Sequence, residues 1–252
     1  MIPLGDDTPT LRTPVMTYVI IAINVAVWIF VQGAGLDAQR LATTVCDLGM
    51  VPGELTHAAA LGTSVPIGPG LACVVDNDRI NVFTPLLSMF LHGSWMHIIG
   101  NMLYLAVFGR NVEDSMGRMR FLAFYLVCGL VAAATHIAFN PTSPVPTVGA
   151  SGAISGVLGA FLVLYPRTTV RMFVFIFVVR IRAWVVLIYW FLLQALGGLS
   201  ELNQLQPSIS GGTAVWAHVG GFVCGALLAK AFVNPTLLGA RTGEYRAAGY
   251  GT

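Results

Sequence analysis

Five polar side chains interrupt the long apolar runs of this sequence and are the first candidates for chemistry: His97, Asn101, His136, Gln194 and His218. Ionisable and amide groups are costly in lipid and usually face a cavity or a partner. The apolar runs contain no Asp or Glu, which excludes a catalytic pair of carboxylates. No His-Glu-x-x-His zinc motif occurs, so we predict no metal site. Nucleophilic catalysis by a serine is the candidate chemistry that remains.

The candidate nucleophile is Ser151, within the sequence Gly149-Ala150-Ser151-Gly152. The apolar run that follows would form a helix only about 22 Å long at 1.5 Å per residue, so it should begin below the membrane surface. A helix N-terminus presents unpaired N–H groups and the positive end of the helix dipole, which favour an oxyanion. Alternatively, Ser151 only caps the helix, and Gly152, Gly156 and Gly159 form a packing face.

The candidate base is His218, which lies beside a stripe of small residues in the last apolar run: Ala214, Ala217, Gly221 and Gly225. Two such stripes would bring the helices of Ser151 and His218 close together. The neutral imidazole of His218 could then take the serine proton as general base. Alternatively, His218 is a buried histidine bonded to a backbone carbonyl.

His97 and Asn101 are candidate donors to an oxyanion. They are four residues apart, so they share one helix face, and both side chains can donate hydrogen bonds. With the backbone N–H of Ser151 they could form an oxyanion hole. His92 precedes the helix and is predicted to hold the loop or a water. The alternative is that these residues only attach the preceding segment to the helices.

The composition indicates a membrane protein. Of 252 residues 56% are hydrophobic and 10% are charged, whereas soluble domains carry roughly 25% charge. An all-α fold with six membrane-spanning helices is predicted, over 15–31, 95–109, 119–139, 151–165, 183–199 and 213–233. A signal peptide is the alternative for the first run. The apolar run 170–179 is too short to cross and is predicted to be interfacial or a packed loop.

The positive charges predict the orientation. Eleven Lys and Arg residues fall on the side of both termini and two on the other. The protein is therefore expected to be a multi-pass protein of the plasma or inner membrane, with both termini in the cytoplasm. The site then opens to the outer side, where the polar segment of about 32–91 forms a long loop with its own local structure. A net charge of +2 gives no reason to expect nucleic acid as a partner.

The domain prediction is a cytoplasmic N-terminus at 1–14, a membrane domain at 15–233 and a flexible cytoplasmic tail at 234–252. Cys128 and Cys224 are predicted packing residues within the membrane domain. Cys46 and Cys73 both lie in the long loop and are either disulfide-bonded or free thiols. Sequence does not distinguish these two states, because it gives no distance between them.

Four motifs together resemble the rhomboid family of intramembrane proteases. His92-x4-His97-x3-Asn101 matches one block and the stretch from Gly109 to Gly117 another; Gly149-Ala150-Ser151-Gly152 matches the nucleophile motif and Ala217-His218-x2-Gly221-x3-Gly225 the base motif. The resemblance covers nearly the whole chain. It implies a six-helix bundle with a water-filled cavity open to the outside, a Ser151–His218 dyad, and oxyanion donors at His97 and Asn101.

The resemblance also implies the partners. Family substrates are single-span membrane proteins that are cut near the outer face and reach the site laterally beside the fifth span; no cofactor is implied. Some members stack a Tyr on the catalytic histidine, whereas that position here is Ser155, from which a hydrogen bond to His218 is one hypothesis. Some members also carry a Trp-Arg pair in the long loop, which is absent here.

Two other functions stay open. A non-catalytic protein that captures transmembrane helices would have the same architecture, although relatives of that kind typically lose the serine or the histidine. A channel or transporter would line a proton path with His97, Asn101, His136 and His218, but no acidic relay accompanies them. The sequence does not indicate the oligomeric state.

Overall fold

The computed structural model describes residues 2–202 and 214–239. Its helices are α1 (Val15–Ala26), α2 (Ala38–Leu48), α3 (Pro52–Leu55), α4 (Thr84–Leu87), α5 (Trp95–Tyr104), α6 (Arg110–Met116), α7 (Arg118–Phe139), α8 (Ser151–Leu164), α9 (Ala183–Leu202) and α10 (Val215–Phe232). Its strands are β1 (Ile2–Asp6), β2 (Ser64–Gly68), β3 (Leu71–Val74), β4 (Thr169–Val174) and β5 (Phe177–Arg182). A π-helical turn, Val27–Val31, extends α1, and another, Leu105–Gly109, joins α5 to α6.

The helices agree with a membrane protein but do not establish six spans. Within the described residues three helices are long and apolar enough to cross a membrane: Arg118–Phe139, Ala183–Ser200 and Val215–Phe232. A fourth span results if Arg79–Phe90 and Trp95–Met116, bent by 71°, are taken together. The predicted first and fourth spans are shorter apolar helices, Val15–Val31 and Ser151–Leu164. The predicted start of the last span at Thr213 and residues 240–252 of the predicted tail lie outside the described residues, whereas residues 235–239 of that tail are helical.

Helices α8 and α10 pack backbone against backbone. A Cβ atom added at Gly221 would overlap the carbonyl oxygen of Gly152, and one added at Gly225 would overlap that of Gly156. A Cβ at Gly159 would likewise overlap the carbonyl of Phe222. Contact this close is the usual result of small residues on facing membrane helices. The predicted approach of the two small-residue stripes is therefore present in the structure.

The segment between α1 and α5 has its own local structure, as predicted. Asp37 begins α2, because its side chain accepts a hydrogen bond from the backbone N–H of Arg40. Strands β2 and β3 form an antiparallel pair. A disulfide joins Cys46 of α2 to Cys73 of β3, with Cα atoms 5.1 Å apart. The question that the sequence left open is thus answered in favour of the disulfide.

The fold is mostly helical, but the all-α prediction omitted two small sheets. The larger has the strand order β1-β4-β5, with both pairs antiparallel. The run 170–179, predicted to be interfacial or a packed loop, forms most of the β4–β5 hairpin, so it is not a loop without regular structure. Val170 and Met172 on its inner face are buried in the core. The alternation of inner and outer residues along β4 is what a half-buried strand requires.

The two ends of α8 define two ends of the bundle. We call the end that carries Ser151 the site end, and the end that carries Leu164 and the β1-β4-β5 sheet the opposite end. At the opposite end the buried Glu113 accepts hydrogen bonds from the backbone N–H groups of Met16 and Thr17 at 2.9 and 2.7 Å. This carboxylate satisfies N–H groups that the first turn of a helix leaves unpaired. The Gly109–Gly117 motif therefore holds the start of α1.

Candidate active site

Ser151 and His218 are in hydrogen-bond contact. The Oγ of Ser151 lies 2.7 Å from Nε2 of His218, although the residues are 67 positions apart in sequence. Ser151 begins α8, and His218 lies in the first turn of α10 with 7% of its surface exposed. The close packing of α8 on α10 sets this distance, since each helix lacks side chains at the contact. The arrangement is that of an alcohol nucleophile beside a general base.

The other ring nitrogen of His218 contacts Gln194 of α9. Nδ1 lies 2.8 Å from the side-chain oxygen Oε1 of Gln194. The indole of Trp190, one helical turn earlier, lies with its centroid 5.8 Å from the imidazole centroid. Ser155 does not form the hydrogen bond to His218 that was one hypothesis from the sequence, because its hydroxyl donates to the carbonyl of Ser151 at 2.6 Å. Gln194 was noted in the sequence only as an amide within an apolar run, and no motif connected it with His218.

His97 approaches the backbone immediately before the nucleophile. Ser94 caps α5 by accepting from the N–H of His97, and Nδ1 of His97 accepts a weak hydrogen bond from Gly93 at 3.4 Å. The neutral ring then carries its proton on Nε2. A Cβ atom at Gly149 would lie 2.7 Å from this Nε2, and the φ of Gly149 is +130°. Glycine is therefore required at this position both by space and by backbone conformation.

Asn101 presents a buried donor without a partner. It is 8% exposed, and its amide nitrogen Nδ2 has no hydrogen-bond partner among the described residues. It lies one helical turn after His97 on the same face of α5. An unpaired buried donor costs about 1–3 kcal/mol, so it requires an explanation. The developing negative charge of an oxyanion would supply the missing acceptor.

His92 is buried beside His97 and belongs to the wall of the site. Its ring is 0% exposed, neither ring nitrogen has a hydrogen-bond partner among the described residues, and the two imidazole centroids are 5.0 Å apart. The backbone of His92 is held by Gln32, which donates to its carbonyl at 2.7 Å and accepts from its N–H at 2.8 Å. Gln32 was not identified from sequence, because its partner lies 60 residues away.

The loop that leads into Ser151 is fixed at several points. The N–H of Gly149 donates to the carbonyl of Ser88 at 2.9 Å, and Met50 and Thr147 form an isolated antiparallel bridge. His136, at the end of α7, has its Nε2 3.1 Å from the hydroxyl of Thr147. His136 therefore supports the loop and is not in hydrogen-bond contact with Ser151 or His218 in the structure. The segment 33–91, which lies between α1 and α5, thus supports the backbone just before the nucleophile through Met50 and Ser88.

The residues described here do not form a metal site. Among residues 2–202 and 214–239 no group of three or more His, Cys, Asp or Glu side chains could hold a metal ion. The groups present are an alcohol, an imidazole that accepts its hydrogen bond, and two further donors on α5. This combination can perform acyl transfer through a covalent intermediate.

Comparison with known proteins identifies a family match over more than half of the chain. The family described as the Rhomboid domain matches residues 79–235, which contain both helices of the Ser151–His218 contact. The Rhomboid protease GluP of Bacillus subtilis is 41% identical over 89 residues, 35% of this chain and 16% of that protein. The Putative rhomboid protease YdcA of the same organism is 31% identical over 108 residues, 42% of this chain and 51% of its own length.

A plant relative aligns over a longer stretch. RHOMBOID-like protein 1 of Arabidopsis thaliana is 28% identical over 152 residues, which is 58% of this chain and 33% of the relative. In these alignments the chain spans about half of each relative's length or less. The similarity therefore concerns the helical domain that holds the site.

Proposed function

The chain belongs to the rhomboid family of membrane proteins, and on that premise we propose that it is an intramembrane serine endopeptidase. The observation that carries this proposal is the 2.7 Å contact between Ser151 Oγ and His218 Nε2 at the N-terminus of α8. The names of two relatives contain the word protease, which agrees with it. The proposed substrates are proteins with a transmembrane segment, and no cofactor takes part.

The reaction begins with proton transfer from Ser151 to His218. As Oγ bonds to the carbonyl carbon of the scissile peptide, Nε2 of His218 takes the hydroxyl proton. The carbonyl oxygen becomes an oxyanion that accepts hydrogen bonds from His97 Nε2, Asn101 Nδ2 and the backbone N–H of Ser151. Its position at the start of α8 adds the favourable end of the helix dipole. The C–N bond then breaks, and His218 returns its proton to the leaving amine.

Water completes the cycle. The acyl group remains on Ser151 Oγ until His218 removes a proton from a water molecule that attacks the ester carbon. Collapse of the second oxyanion releases the new carboxylate and restores the serine hydroxyl. The dyad has no carboxylate, in agreement with the absence of Asp and Glu from the apolar runs.

We propose the orientation from the charges at the two ends. Arg12, Arg110, Arg118 and Arg167 are among the cations of the opposite end, while Arg40 and Arg79 are those predicted for the site end. Both termini are then cytoplasmic, and the site opens to the outer side of a plasma or inner membrane. Labelling single cysteines placed at the exposed positions Leu61 and Pro166 with a membrane-impermeant reagent on intact cells tests this. Leu61 alone is expected to react.

The activity is tested with a fluorophosphonate probe and a model substrate that carries one transmembrane segment. Wild-type protein in proteoliposomes should cut the substrate and react with the probe, while Ser151→Ala and His218→Ala should do neither. Ser200→Ala, which changes an exposed serine of α9, is the matched control and should behave as wild type. Because the probe reacts only with an activated serine, an unlabelled wild-type protein would instead indicate a non-catalytic protein that binds transmembrane helices.

A further inference from the structure

The hydrogen bond between Gln194 and His218 gives the dyad a third member. Since Ser151 donates to Nε2 of His218, the neutral imidazole carries its other proton on Nδ1. That N–H points to Oε1 of Gln194 at 2.8 Å. We propose that Gln194 is a positioning residue that fixes the tautomer and ring orientation of His218. This inference rests on the proposed function and names a part of its machinery.

The chemistry of an amide suits this place. A carboxylate would perform the same orientation more strongly, but a charged group within an apolar span is expensive. An amide oxygen accepts the Nδ1–H bond without a charge, so it is the less costly solution in lipid. It also stabilises the imidazolium that forms when Ser151 loses its proton, since both ring nitrogens of that cation are donors.

Trp190 completes the support from the same helix. Trp190 and Gln194 are four residues apart and therefore lie on one face of α9. The Trp190 ring also lies 6.0 Å from Phe222 of α10, and Phe191 stacks on Phe222 at 4.8 Å. These rings attach α9 to the helix that carries His218. Any displacement of α9 from α10 would therefore release the imidazole as well as open the bundle.

The experiment compares three variants in the wild-type lipid environment. Gln194→Leu removes the acceptor and is expected to lower kcat roughly 10- to 100-fold, with KM little changed, because a misplaced base affects the chemical step. Gln194→Glu restores an acceptor and should recover most of kcat. A nearby carboxylate favours the imidazolium, so the acidic limb of its pH–rate profile should move to higher pH. Leu193→Ala, at an exposed neighbour, is the control.

The outcomes separate the two proposals. If wild type cleaves and Gln194→Leu has the same kcat and pH profile, Gln194 has no positioning role. Equal losses in Gln194→Leu and Gln194→Glu, with no movement of the acidic limb, would also refute it. If wild type itself neither cleaves nor reacts with the fluorophosphonate, the proposed function fails and Gln194 is not at issue. Thermal unfolding of each variant shows that the compared proteins are folded.

A separate feature is the tip of the β4–β5 hairpin at the opposite end. The tip residues Phe175, Ile176 and Phe177 are 91%, 79% and 65% exposed. Behind them on the outer face, Phe173 pairs with Val178, and Arg171 pairs with Arg180 in the next outward-facing row. At about 3.3 Å per residue the tip lies roughly 10 Å beyond these arginines. The sheet is thus apolar at its tip and cationic at its base.

We infer that the hairpin tip inserts into the anionic lipid surface at the opposite end of the bundle. Apolar side chains of interfacial elements enter about 5–10 Å into the boundary between headgroups and acyl chains, while cations contact the headgroups. The spacing between the tip and the base fits this depth. Arg182 adds a third cation to the base, and Asp7, 3.5 Å from Arg180, is an acidic neighbour of the same surface. Lipid phosphates would complement the remaining charge.

A nitroxide label tests this inference, placed at Ile176→Cys or at the exposed control position Pro166→Cys in a Cys128→Ala/Cys224→Ala background. The vesicles are phosphatidylcholine with or without phosphatidylglycerol. At Ile176 collisions with oxygen should exceed those with a water-soluble nickel chelate, more so with phosphatidylglycerol, and the reverse should hold at Pro166. Equal access of the chelate to both labels would refute insertion. Spin–spin broadening at Ile176 would refute it in favour of contact between two copies.

Discussion

The two ends of the bundle both bury polar side chains, but the buried carboxylates at the opposite end are more completely hydrogen-bonded than the buried amide and imidazole groups at the site end. At the opposite end three carboxylates, Asp6, Glu113 and Asp114, have both oxygens accepting hydrogen bonds. Arg12 and Arg110 supply ion pairs to these carboxylates at 3.0 and 2.9 Å, while Nε of Arg110 has no hydrogen-bond partner among the described residues. At the site end the amide nitrogen of Asn101 and both ring nitrogens of His92 have no partner among the described residues.

This difference distinguishes buried groups that stabilise the fold from buried groups that would contact a substrate. A buried polar group that is fully paired adds to stability, whereas an unpaired one costs about 1–3 kcal/mol. Such a cost is explained where a substrate atom supplies the missing partner, as the oxyanion would for Asn101. Substitutions at the site end should therefore change turnover more than stability, and those at the opposite end the reverse.

Among substitutions outside the Ser151–His218 pair, the largest expected effect is that of Asn101→Ala on turnover. Removal of one oxyanion donor costs about 2.7–4 kcal/mol of transition-state stabilisation, or roughly 10²- to 10³-fold in kcat. The free energy of unfolding should hardly fall, because Nδ2 has no hydrogen-bond partner to lose within residues 2–202 and 214–239. Single-turnover cleavage in proteoliposomes and thermal unfolding measure the two quantities. Met96→Ala, an exposed neighbour on α5, is the control.

A large loss of stability in Asn101→Ala with unchanged kcat would contradict this reading. It would mean that Asn101 is a packing residue and that the site end does not differ from the opposite end in kind. The same pair of measurements therefore decides whether the two ends differ in kind.

The contact between Ser151 and His218 was predictable from sequence, whereas the residues that hold His218 and the neighbouring loop were not. Ser151 and His218 were predicted to touch because glycine and alanine at helical spacing indicate close approach in lipid. That reasoning names the helices that meet but not the side chains of a third helix. Gln194 is one amide in an apolar run, and Gln32 acts through a backbone 60 residues away. Neither partner can be read from local spacing.

The next effect concerns the disulfide that stiffens the segment beside the site. Cys46 and Cys73 are 27 residues apart, and a cross-link of this length contributes about 3.5 kcal/mol by restricting the unfolded chain. The double variant Cys46→Ser/Cys73→Ser should therefore increase hydrogen exchange across 33–91, while that of β1 and the start of α1 stays unchanged. Equal increases at both ends would show that the two ends unfold together.

Glu113→Ala should produce a smaller loss of stability at the opposite end. The variant removes an acceptor for the N–H groups of Met16 and Thr17, at a cost of about 2 kcal/mol. For a chain of this size that lowers Tm by roughly 4–8 °C. Fluorophosphonate labelling per folded molecule should remain that of wild type. Loss of labelling at unchanged Tm would mean that Glu113 supports the reaction and not the fold, contrary to the distinction between the two ends.

The sheet at the opposite end shows a further limit of sequence reasoning. The run 170–179 is apolar and short, and its alternation is clear only once its inner face is known to be buried. Strand β1 has five residues and pairs with β4, whose residues lie more than 160 positions later. Nothing within so short a segment specifies a partner that distant. The all-α prediction missed β1 because its pairing with β4 is non-local.

The smallest expected effect is a pH dependence confined to the segment 33–91. Burial raises the pKa of Glu54 and, with the nearby Asp76 and Asp78, that of Asp47 above their usual values. A raised carboxyl pKa means that the folded segment holds its proton more tightly than the unfolded chain. The stability it contributes is complete below the unfolded pKa and is lost as pH rises through the folded pKa.

Hydrogen exchange of the segment should therefore be slower at mildly acidic pH than at neutral pH, after correction for the intrinsic pH dependence of exchange. The variant Asp47→Asn/Glu54→Gln should remove this difference, because neither amide titrates. Both carboxyls are partly exposed, so solvent screening keeps the effect below that of Glu113→Ala. The opposite end provides the internal reference: corrected exchange at the start of α1 should not follow the titration of Asp47 and Glu54. A corrected difference that persists in the double variant would assign the pH dependence to other groups.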